Sequence, residues 1–344
     1  MKTRAAILWQ LNAPLVIDEV QIPSLKRGQA LIKILYSGVC RAQYNEMTGL
    51  KGPDKFLPHL LGHEASGFVA DTGQGVTKIK NNDYVCLSWI KGQGLDAFNS
   101  KYKLGSRTIN AGAVTTFSDY AVVSENRVIK IPKTAPADVA AITGCAVATG
   151  CGIIYNTLKA AKNSSVIVFG VGGVGLSVIL GAKLRGCPKI IAVDVVDAKL
   201  KFAKRLGATH LVNASKSNVL KSINAILPKG ADYTVDASGN KTAMENAFAA
   251  IKDTGVCVIA GNLSKDEKIE LHPFELIKGK RIIGTWGGET LPDCDIPAYL
   301  KAYAQGKLPI DRMITHRFDL ENINKAFEVL IHGDAGRIVL KMSI

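Results

Sequence analysis

The fold of this chain is decided by residues 166–176, which read Val-Ile-Val-Phe-Gly-Val-Gly-Gly-Val-Gly-Leu. An apolar run of strand length ends at Gly170, and the glycines at 170, 172 and 175 follow the spacing Gly-x-Gly-x-x-Gly. In such a turn the first glycine bends the chain, the second lets a pyrophosphate approach the backbone, and the third packs the next helix against the strand. The amide groups at the start of that helix then face the negative charge of the phosphates. The stretch therefore predicts a strand, a dinucleotide-binding turn and a helix.

An acidic residue lies where this kind of turn needs one. The next predicted strand ends at Asp194, nineteen residues after Gly175, and a carboxylate there accepts hydrogen bonds from ribose hydroxyls. It also repels a 2′-phosphate, so the pattern predicts NAD rather than NADP. Lys199 lies one turn into the following helix, where it either reaches the adenosine ribose or is a solvated lysine.

Outside this turn the chain shows two kinds of pattern. The first 140 residues are short β-branched runs separated by Gly, Pro, Asn and Asp, as in a barrel-like or sandwich domain. The strands predicted there are Ala5–Trp9, Ala30–Ser37, Ala65–Ala70, Asp83–Leu87 and Val128–Ile131. Lys91–Val114, rich in Gly, Asn and Ser, is predicted to be a long loop. From about Ala146, apolar strands alternate with helical segments, which predicts a parallel sheet with crossover helices.

Length and composition limit the class of protein. A chain of 344 residues favours two domains, and 47% hydrophobic with 21% charged residues indicates an ordinary globular protein. The net charge is +14, from 43 Lys and Arg against 29 Asp and Glu. Because the basic residues are scattered rather than grouped in blocks, the charge favours anionic small ligands and does not predict nucleic-acid binding.

Cysteine usage and hydropathy indicate the compartment. Seven cysteines occur, at positions 40, 86, 145, 151, 187, 257 and 294, with no Cys-x-x-Cys pair, so neither a disulfide framework nor a zinc ribbon is predicted. The N-terminal apolar run is too short for a signal peptide. The longest apolar stretch, Val166–Ala182, is better explained as strand, turn and helix than as a membrane span. We expect a reducing, cytoplasmic setting without a membrane.

Two cysteines and one histidine are candidate metal ligands. Cys40 follows a predicted strand, His63 lies in Leu-Gly-His-Glu, and Cys145 lies at the junction of the two patterns. Two thiolates and one imidazole suit a tetrahedral zinc that keeps its fourth position open. A buried cysteine is, however, more often a small apolar residue, and the spacing alone leaves both interpretations open.

Together with the glycine turn, these motifs resemble the zinc-dependent medium-chain alcohol dehydrogenase family over essentially the whole chain. The elements that carry the resemblance occur in the family's order: Cys40-Arg41, Gly62-His63-Glu64-x-x-Gly67, Gly144-Cys145-x-x-x-Thr149-Gly150, Gly170-x-Gly-x-x-Gly175 and Gly336-Arg337. The resemblance implies a GroES-like catalytic domain formed by residues 1–146 and 286–344. A Rossmann domain with a doubly wound parallel sheet, residues 147–285, is then inserted between them.

The resemblance also implies a metal site. Cys40, His63 and Cys145 are expected to hold one catalytic zinc. Glu64 is expected beside it, either as an exchangeable fourth ligand or as a carboxylate that tunes the metal. Trp89 is expected on the wall of the substrate pocket, or else is a core tryptophan.

The nucleotide contacts implied by the resemblance come from several parts of the chain. Arg41 and Arg337 are expected to clamp the pyrophosphate through bidentate contacts, or else to form ordinary ion pairs. Thr149 is expected to pack against the nicotinamide. The full set of residues expected to bind the nucleotide is Arg41, Thr149, Gly170, Gly172, Gly173, Val174, Gly175, Asp194, Lys199 and Arg337.

Two features depart from the family pattern. Many members hold a second, structural zinc through four cysteines in the segment after the strand near Leu87, but residues 89–113 contain no cysteine here. We therefore expect one zinc and no structural site. Many members also place Ser or Thr two residues after the first zinc ligand, where this chain has Ala42 in the expected substrate pocket. The usual proton relay is thus missing, and His59 is a candidate replacement.

The predicted activity is hydride transfer between an alcohol and NAD, which interconverts the alcohol with a ketone or aldehyde. The expected substrate is a secondary alcohol, a polyol or a sugar-type compound, and the expected assembly is a homodimer or homotetramer. Two alternatives differ in class: a zinc-free quinone or enoyl reductase of the same superfamily, and a non-catalytic nucleotide-binding structural protein.

Overall fold

The structure is a computed structural model, which describes residues 1–50, 52–333 and 335–343. The N-terminal part of the chain folds into a closed barrel and an adjoining sheet. Its strands are β1 (Lys2–Leu8), β2 (Val16–Gln21), β3 (Gln29–Val39), β4 (His59–Leu60), β5 (Glu64–Thr72), β6 (Tyr84–Ser88), β7 (Lys101–Leu104), β8 (Arg107–Asn110), β9 (Tyr120–Ser124) and β10 (Val128–Lys130). The barrel follows the order β1–β2–β7–β8–β4. In the sheet, β10, β6, β5 and β3 lie side by side, and β9 also pairs with β3. A short helix, α1 (Arg41–Met47), follows β3 directly.

The segment Lys91–Val114 is not a long loop, and the expectation from the sequence is wrong there. It contains the hairpin β7–β8, which turns at Gly105 with φ of +57° and completes the barrel. Tyr102 and Ile109 are fully buried in the two strands, whereas the Gly, Asn and Ser residues that suggest a loop lie mostly in the flanks. Because each strand is only four residues long, the alternation is too short to stand out in the sequence.

A long apolar helix, α2 (Ala137–Thr157), connects the barrel part to the parallel sheet. It has the length and mean hydropathy of a membrane span, yet 89% of its apolar window is buried inside the protein. Ile142, Val147 and Ile153 belong to one continuous core with β-strand residues from both parts of the chain. The helix is therefore explained by its place in the core.

The middle of the chain forms the predicted parallel sheet. Its strands are β11 (Ser165–Phe169), β12 (Lys189–Asp194), β13 (His210–Asn213), β14 (Ala231–Asp236), β15 (Ile251–Ile259) and β16 (Arg281–Gly284). Its helices are α3 (Gly173–Arg185), α4 (Asp197–Leu206), α5 (Val219–Ile226), α6 (Lys241–Ala249) and α7 (Pro273–Ile277). The strand order is β13–β12–β11–β14–β15–β16, with every pair parallel, which is the order of a Rossmann fold. Val166 and Val168 face one core while Ile167 and Phe169 face another, so the sheet is covered on both sides.

The C-terminal part returns to the barrel side of the molecule. Its elements are α8 (Pro292–Ala304), β17 (Ile314–Asp319), α9 (Ile323–His332) and β18 (Arg337–Lys341). Strand β18 pairs antiparallel with β3, with Val339 opposite Gly38, and β17 pairs parallel with β18. Both chain ends thus build one sheet around an inserted parallel sheet, and the predicted GroES-like and Rossmann architecture is confirmed.

A buried carboxylate fixes the cysteine-free segment between β6 and β7. Glu125 is 1% exposed, and its oxygens accept hydrogen bonds from the backbone N–H groups of Thr77 (2.7 Å), Lys78 (2.8 Å) and Leu95 (2.7 Å). Burial raises the pKa of Glu125, but these three donors outweigh it and hold the pKa below its ordinary value of 4.5. The charged carboxylate therefore stabilises the folded segment.

We expect Glu125→Gln to lower the free energy of unfolding by about 2–3 kcal/mol, because an amide nitrogen would then face a buried N–H donor. Urea denaturation of the purified chain measures this loss. Glu328→Gln, a change of the same type at an exposed helix position, should shift the midpoint little. Equal stability of both variants would contradict the assigned role of Glu125.

The same carboxylate predicts a pH dependence. A group whose folded pKa is depressed contributes stability that is fully present above its ordinary pKa of 4.5 and is lost as the pH falls through the folded value. The difference in stability between the wild-type chain and Glu125→Gln should therefore shrink as the pH is lowered below 4.5. A difference that stays constant down to pH 3 would show that the Glu125 charge does not stabilise the fold.

Candidate metal and nucleotide site

Two of the predicted metal ligands lie at adjacent strand ends. Strands β3 and β5 pair antiparallel, with Ser37 opposite Ala65, so Cys40 after β3 and His63 before β5 lie at the same end. Gly62 has φ of +95°, and a Cβ there would lie 2.4 Å from Oγ1 of Thr116. Only glycine fits this bend, which brings His63 to the site.

The third ligand comes from helix α2. Cys145 lies in a π-helical segment, Thr143–Val147, and such segments widen a helix locally and often occur at functional sites. The hydroxyl of Ser88 donates a hydrogen bond to the carbonyl of Gly144 (2.6 Å). A Cβ on Gly144 would lie 2.0 Å from the carbonyl oxygen of Leu87. These contacts press the helix against the end of β6 and bring Cys145 toward β5.

The three ligand atoms meet. The sulfurs of Cys40 and Cys145 and a ring nitrogen of His63 all lie within 4.8 Å of one another, and His63 Nε2 is 3.2 Å from Cys145 Sγ. Zinc bonds of 2.0–2.3 Å in a tetrahedron place ligand atoms about 3.5–4 Å apart. The donor set therefore fits one zinc ion.

The two thiols differ in acidity. A hydrogen bond from Cys145, together with the nearby His63 and Arg337, holds the pKa of Cys40 well below its usual range despite burial. The same hydrogen bond and burial raise the pKa of Cys145 well above its usual range. One thiolate is thus favoured before any metal arrives, and zinc would replace the shared proton.

Gln43 connects two of the ligands, although it belongs to none of the sequence motifs. It is 1% exposed, its Oε1 accepts a hydrogen bond from the N–H of Cys40 (2.9 Å), and its Nε2 lies 2.7 Å from His63 Nδ1. The sequence offered one signal, since a residue three positions into a helix can reach back to its N-cap. Its contact with His63 depends on the tertiary structure.

Glu64 and Arg337 form an ion pair inside the protein. Glu64 is 0% and Arg337 3% exposed, and Arg337 Nη2 donates to Glu64 Oε1. A Cβ on Gly38 would lie 2.3 Å from the Glu64 carboxylate, and one on Gly173 would lie 2.8 Å from the Arg337 side chain. Arg337 therefore bridges the residue beside the metal site to the glycine turn.

The glycine turn has the predicted form. Gly170 has φ of +83°, and a Cβ on Gly175 would lie 2.0 Å from the carbonyl of Gly170. A Cβ on Gly172 would meet nothing within 4 Å, so the turn presents open space before helix α3. Asp194 lies beside it and accepts hydrogen bonds from the N–H groups of Val171 (2.9 Å), Val195 (2.8 Å) and Val196 (3.0 Å). About one of the four lone-pair positions of the carboxylate then remains for a ribose hydroxyl.

The other residues predicted to bind the nucleotide or line the substrate pocket lie on several helices. Arg41, at the start of α1, is exposed, and its guanidinium lies over the ring of Tyr44, 5.0 Å from the ring centroid. Val174 and Lys199 are half-buried in α3 and α4, and Lys199 lies against Gly333. Ala42 is half-buried in α1.

Several buried polar atoms at this centre have no hydrogen-bond partner. Among the described residues, seven buried side-chain nitrogen or oxygen atoms have no hydrogen-bond partner. Four of the seven belong to Glu64, Trp89, Thr149 and Arg337. Trp89 also packs edge-to-face on Trp286, with ring centroids 5.2 Å apart. Since buried polar groups are almost always satisfied, such a concentration indicates a place where ligands bind.

A cavity of about 260 Å³ opens beside His63. Its polar lining consists of Gln43, Glu46, His59, Asn99, Asn110 and Thr115, and Thr115 Oγ1 is buried without a partner. His59 faces an acceptor at each ring nitrogen: Nε2 lies 2.8 Å from Asp54 Oδ2 and Nδ1 lies 3.0 Å from the carbonyl of Leu60. The structure thus brings His59 into the same cavity as the metal ligand.

This geometry places the candidate metal ligand Cys145 on helix α2, which packs against helix α3 after the candidate dinucleotide turn, an arrangement that suits an oxidoreductase. Residues 26–133 match the alcohol dehydrogenase GroES-like domain, and residues 173–305 match the zinc-binding dehydrogenases. An alcohol dehydrogenase class-3 from Cereibacter sphaeroides is 34% identical, over 99% of this chain and 100% of its own length.

Solved structures agree with this match. An alcohol dehydrogenase zinc-binding domain protein from Burkholderia ambifaria superposes with a TM-score of 0.94 at 27% identity, over the full length of both chains. Benzyl alcohol dehydrogenase from Acinetobacter calcoaceticus gives 0.91 at 26%, again over both full chains. The chain belongs to the zinc-dependent medium-chain alcohol dehydrogenase family and is an oxidoreductase.

We expect Gln43→Ala to weaken zinc binding by about 10–100-fold, because groups that orient a metal-bound histidine typically contribute this much affinity. Gln43→Glu should bind zinc at least as tightly as the wild type, since a carboxylate accepts both from Cys40 N–H and from the Nδ1–H that His63 keeps when its Nε2 binds zinc. The amide of Gln43 must turn to accept there. Competition with a chromogenic zinc chelator gives the affinities, with exposed Gln305→Ala as the control. If the Ala and Glu variants bind zinc alike, Gln43 does not orient His63.

Proposed function

We propose that this chain is an NAD-dependent alcohol dehydrogenase with one zinc ion per chain, acting on a small hydroxylated alcohol of the polyol or sugar type. The observation that carries the proposal is the meeting of Cys40, His63 and Cys145 within 4.8 Å. Cys145 and Thr149 lie one turn apart on helix α2, which packs against the helix that follows the glycine turn. Because residues four apart lie on the same face of a helix, metal and nucleotide would lie next to each other along this helix.

Zinc bound by these three residues supplies a Lewis acid that lowers the pKa of an alcohol hydroxyl. Gln43 would hold the ring of His63, and Glu64 carries an unpartnered buried oxygen beside the site. The glycine turn and Arg337 would hold the cofactor pyrophosphate, leaving Thr149 to pack against the nicotinamide.

The cavity beside His63 supports the proposed substrate class. Its volume of about 260 Å³ lies below the roughly 300–1,000 Å³ of sites for drug-sized ligands, which favours a small substrate. The polar side chains that line it can satisfy several hydroxyl groups. Ala42 offers no hydroxyl, and the proton acceptor that we favour is His59, which lines the cavity and pairs with Asp54 outside its lining.

We also propose that the protein is a homodimer or homotetramer in a cytoplasmic setting. Strand β16 pairs with β15 on one side and forms the edge of the parallel sheet. Phe274 and Ile277 of the neighbouring helix α7 are 55% and 78% exposed. An open strand edge beside exposed apolar side chains is a surface that a second copy can cover.

Replacing Cys145 by Ser should remove or loosen the zinc and abolish NADH formation, while NAD binding survives because the glycine turn is untouched. Metal analysis and a screen of alcohols, polyols and sugars followed by NADH absorbance measure both effects. Cys151→Ser, on the same helix and outside the ligand set, should keep its zinc. Full turnover in a zinc-free Cys145→Ser variant would instead favour a zinc-free reductase, and a wild-type chain with no zinc and no turnover would favour a non-catalytic nucleotide-binding protein.

Asp194→Ser should reduce the preference for NAD over NADP by at least about tenfold, because the substitution removes a charge that repels the 2′-phosphate. The ratio of kcat/KM for the two cofactors measures the preference. Asp197→Ser removes an exposed acid three residues later, which pairs with Lys216, and should leave the ratio nearly unchanged. A wild-type enzyme that favours NADP would overturn the assignment.

A further inference from the structure

A second and larger cavity lies on the far side of Asn99 from the cavity beside His63. It measures about 800 Å³ and is formed by the chain before β3, the segment between β6 and β7, and Arg127. Asn99 lines both cavities, so the two spaces adjoin. None of the residues assigned above to the metal or nucleotide lines this larger space.

The lining of the larger cavity is strongly basic. It contains four cations, Lys26, Lys91, Lys101 and Arg127, against one carboxylate, that of Asp96. Asp96 is paired with Lys91 at 2.5 Å. Within the described part of the chain, the other three cations have no acidic partner within 4.0 Å, although the charge of Asp96 also acts on Arg127. Four cations therefore face the cavity against a single carboxylate.

Arg127 is held in place by one hydrogen bond, while another nitrogen of its guanidinium has no hydrogen-bond partner. It is half-buried, its Nη1 donates to the carbonyl of Trp89, and its buried Nε has no hydrogen-bond partner. Burial lowers the pKa of Arg127, and the nearby charge of Asp96 offsets this only in part. The nearby carboxylate of Glu125 does not help, since it is occupied by three backbone N–H groups.

The walls of the cavity are fixed before any ligand binds. The side-chain amide of Gln29 donates to the carbonyl of Phe98 (2.9 Å) and to Ser100 Oγ (3.2 Å), and its oxygen accepts from Lys26 N–H (2.9 Å). Ser124 Oγ accepts from Ala97 N–H (2.8 Å). A rigid wall lowers the entropy cost of binding.

We propose that this cavity binds the phosphate or carboxylate groups of a small anionic ligand, with Lys26, Lys101 and Arg127 as its cationic contacts. Guanidinium and ammonium groups form charge-assisted hydrogen bonds with such oxygens, and a volume of about 800 Å³ admits a ligand of cofactor size. The anion is either a separate ligand or the far end of the alcohol substrate, because Asn99 borders both cavities. Both sources present the same kind of anionic oxygen to the cavity, so an experiment has to distinguish them.

The first experiment titrates the zinc-loaded protein with inorganic pyrophosphate in a calorimeter, with saturating NADH present to occupy the glycine turn. Lys26→Met with Lys101→Met should weaken binding by at least about tenfold, since hydrogen bonds to charged groups contribute roughly 1.5–3 kcal/mol each. Both lysines are exposed, so their replacement leaves the fold intact. The matched control, Lys103→Met with Lys133→Met, removes equal charge from exposed positions outside the cavity.

Two results would overturn the proposal. Unchanged pyrophosphate affinity in the Lys26 and Lys101 variant would show that the cavity does not hold the anion. Equal weakening in both double variants would show that only the overall charge of the protein matters. Binding at the glycine turn or the metal would be the same in every variant and so cannot imitate the expected result.

The second experiment identifies the source of the anion and rests on the proposed alcohol oxidation, whereas the titration does not. It compares an alcohol substrate with its phosphorylated or carboxylated analogue. If the anion belongs to the substrate, the Lys26 and Lys101 variant raises KM about tenfold for the charged analogue alone. If the anion is a separate ligand, pyrophosphate binding still falls in this variant while KM stays unchanged for both alcohols.

Discussion

The contact on which the rest of the structure depends is the buried ion pair of Glu64 and Arg337. Two charges removed from water are favourable only when their geometry is fixed and their neighbours fit closely. Gly38 leaves room for the carboxylate and Gly173 for the guanidinium, so strands β5, β3 and β18 and the glycine turn are brought together at one point. The pair also explains why the last strand of the chain must return to the N-terminal sheet: it carries the arginine.

The sequence predicts the parts of this protein whose pattern is local. The strand that is predicted to end at Asp194 does end there, because a buried strand is apolar along its length and ends abruptly. Strand β2 (Val16–Gln21) is not predicted, since it is mostly exposed and its side chains carry little apolar signal. The hairpin within Lys91–Val114 is missed for a related reason, since each of its strands buries few residues.

The candidate site also has one part that the sequence predicts and another that it does not. The glycine turn can be predicted from the sequence because all the residues that define it lie within a few positions of one another. Cys40, His63 and Cys145 are more than twenty positions apart, and only the resemblance to a family groups them as ligands. The roles of Gln43 and Ser88 lie beyond any such pattern. Each acts on a ligand carried by another element, through hydrogen bonds that exist only after β5, β6 and helix α2 have packed.

Helix α2 has a consequence for how this protein can change during evolution. Cys145 and Thr149 are separated by four residues of one helix, which amounts to roughly 6 Å along the axis and a little more than one full rotation. Inserting or deleting one residue between them would shift one side chain by about 1.5 Å and rotate it by about 100° relative to the other. Loops elsewhere can lengthen or shorten without moving either side chain relative to the other. The four-residue spacing between Cys145 and Thr149 has no such freedom, so it should be unchanged in any descendant that uses both side chains.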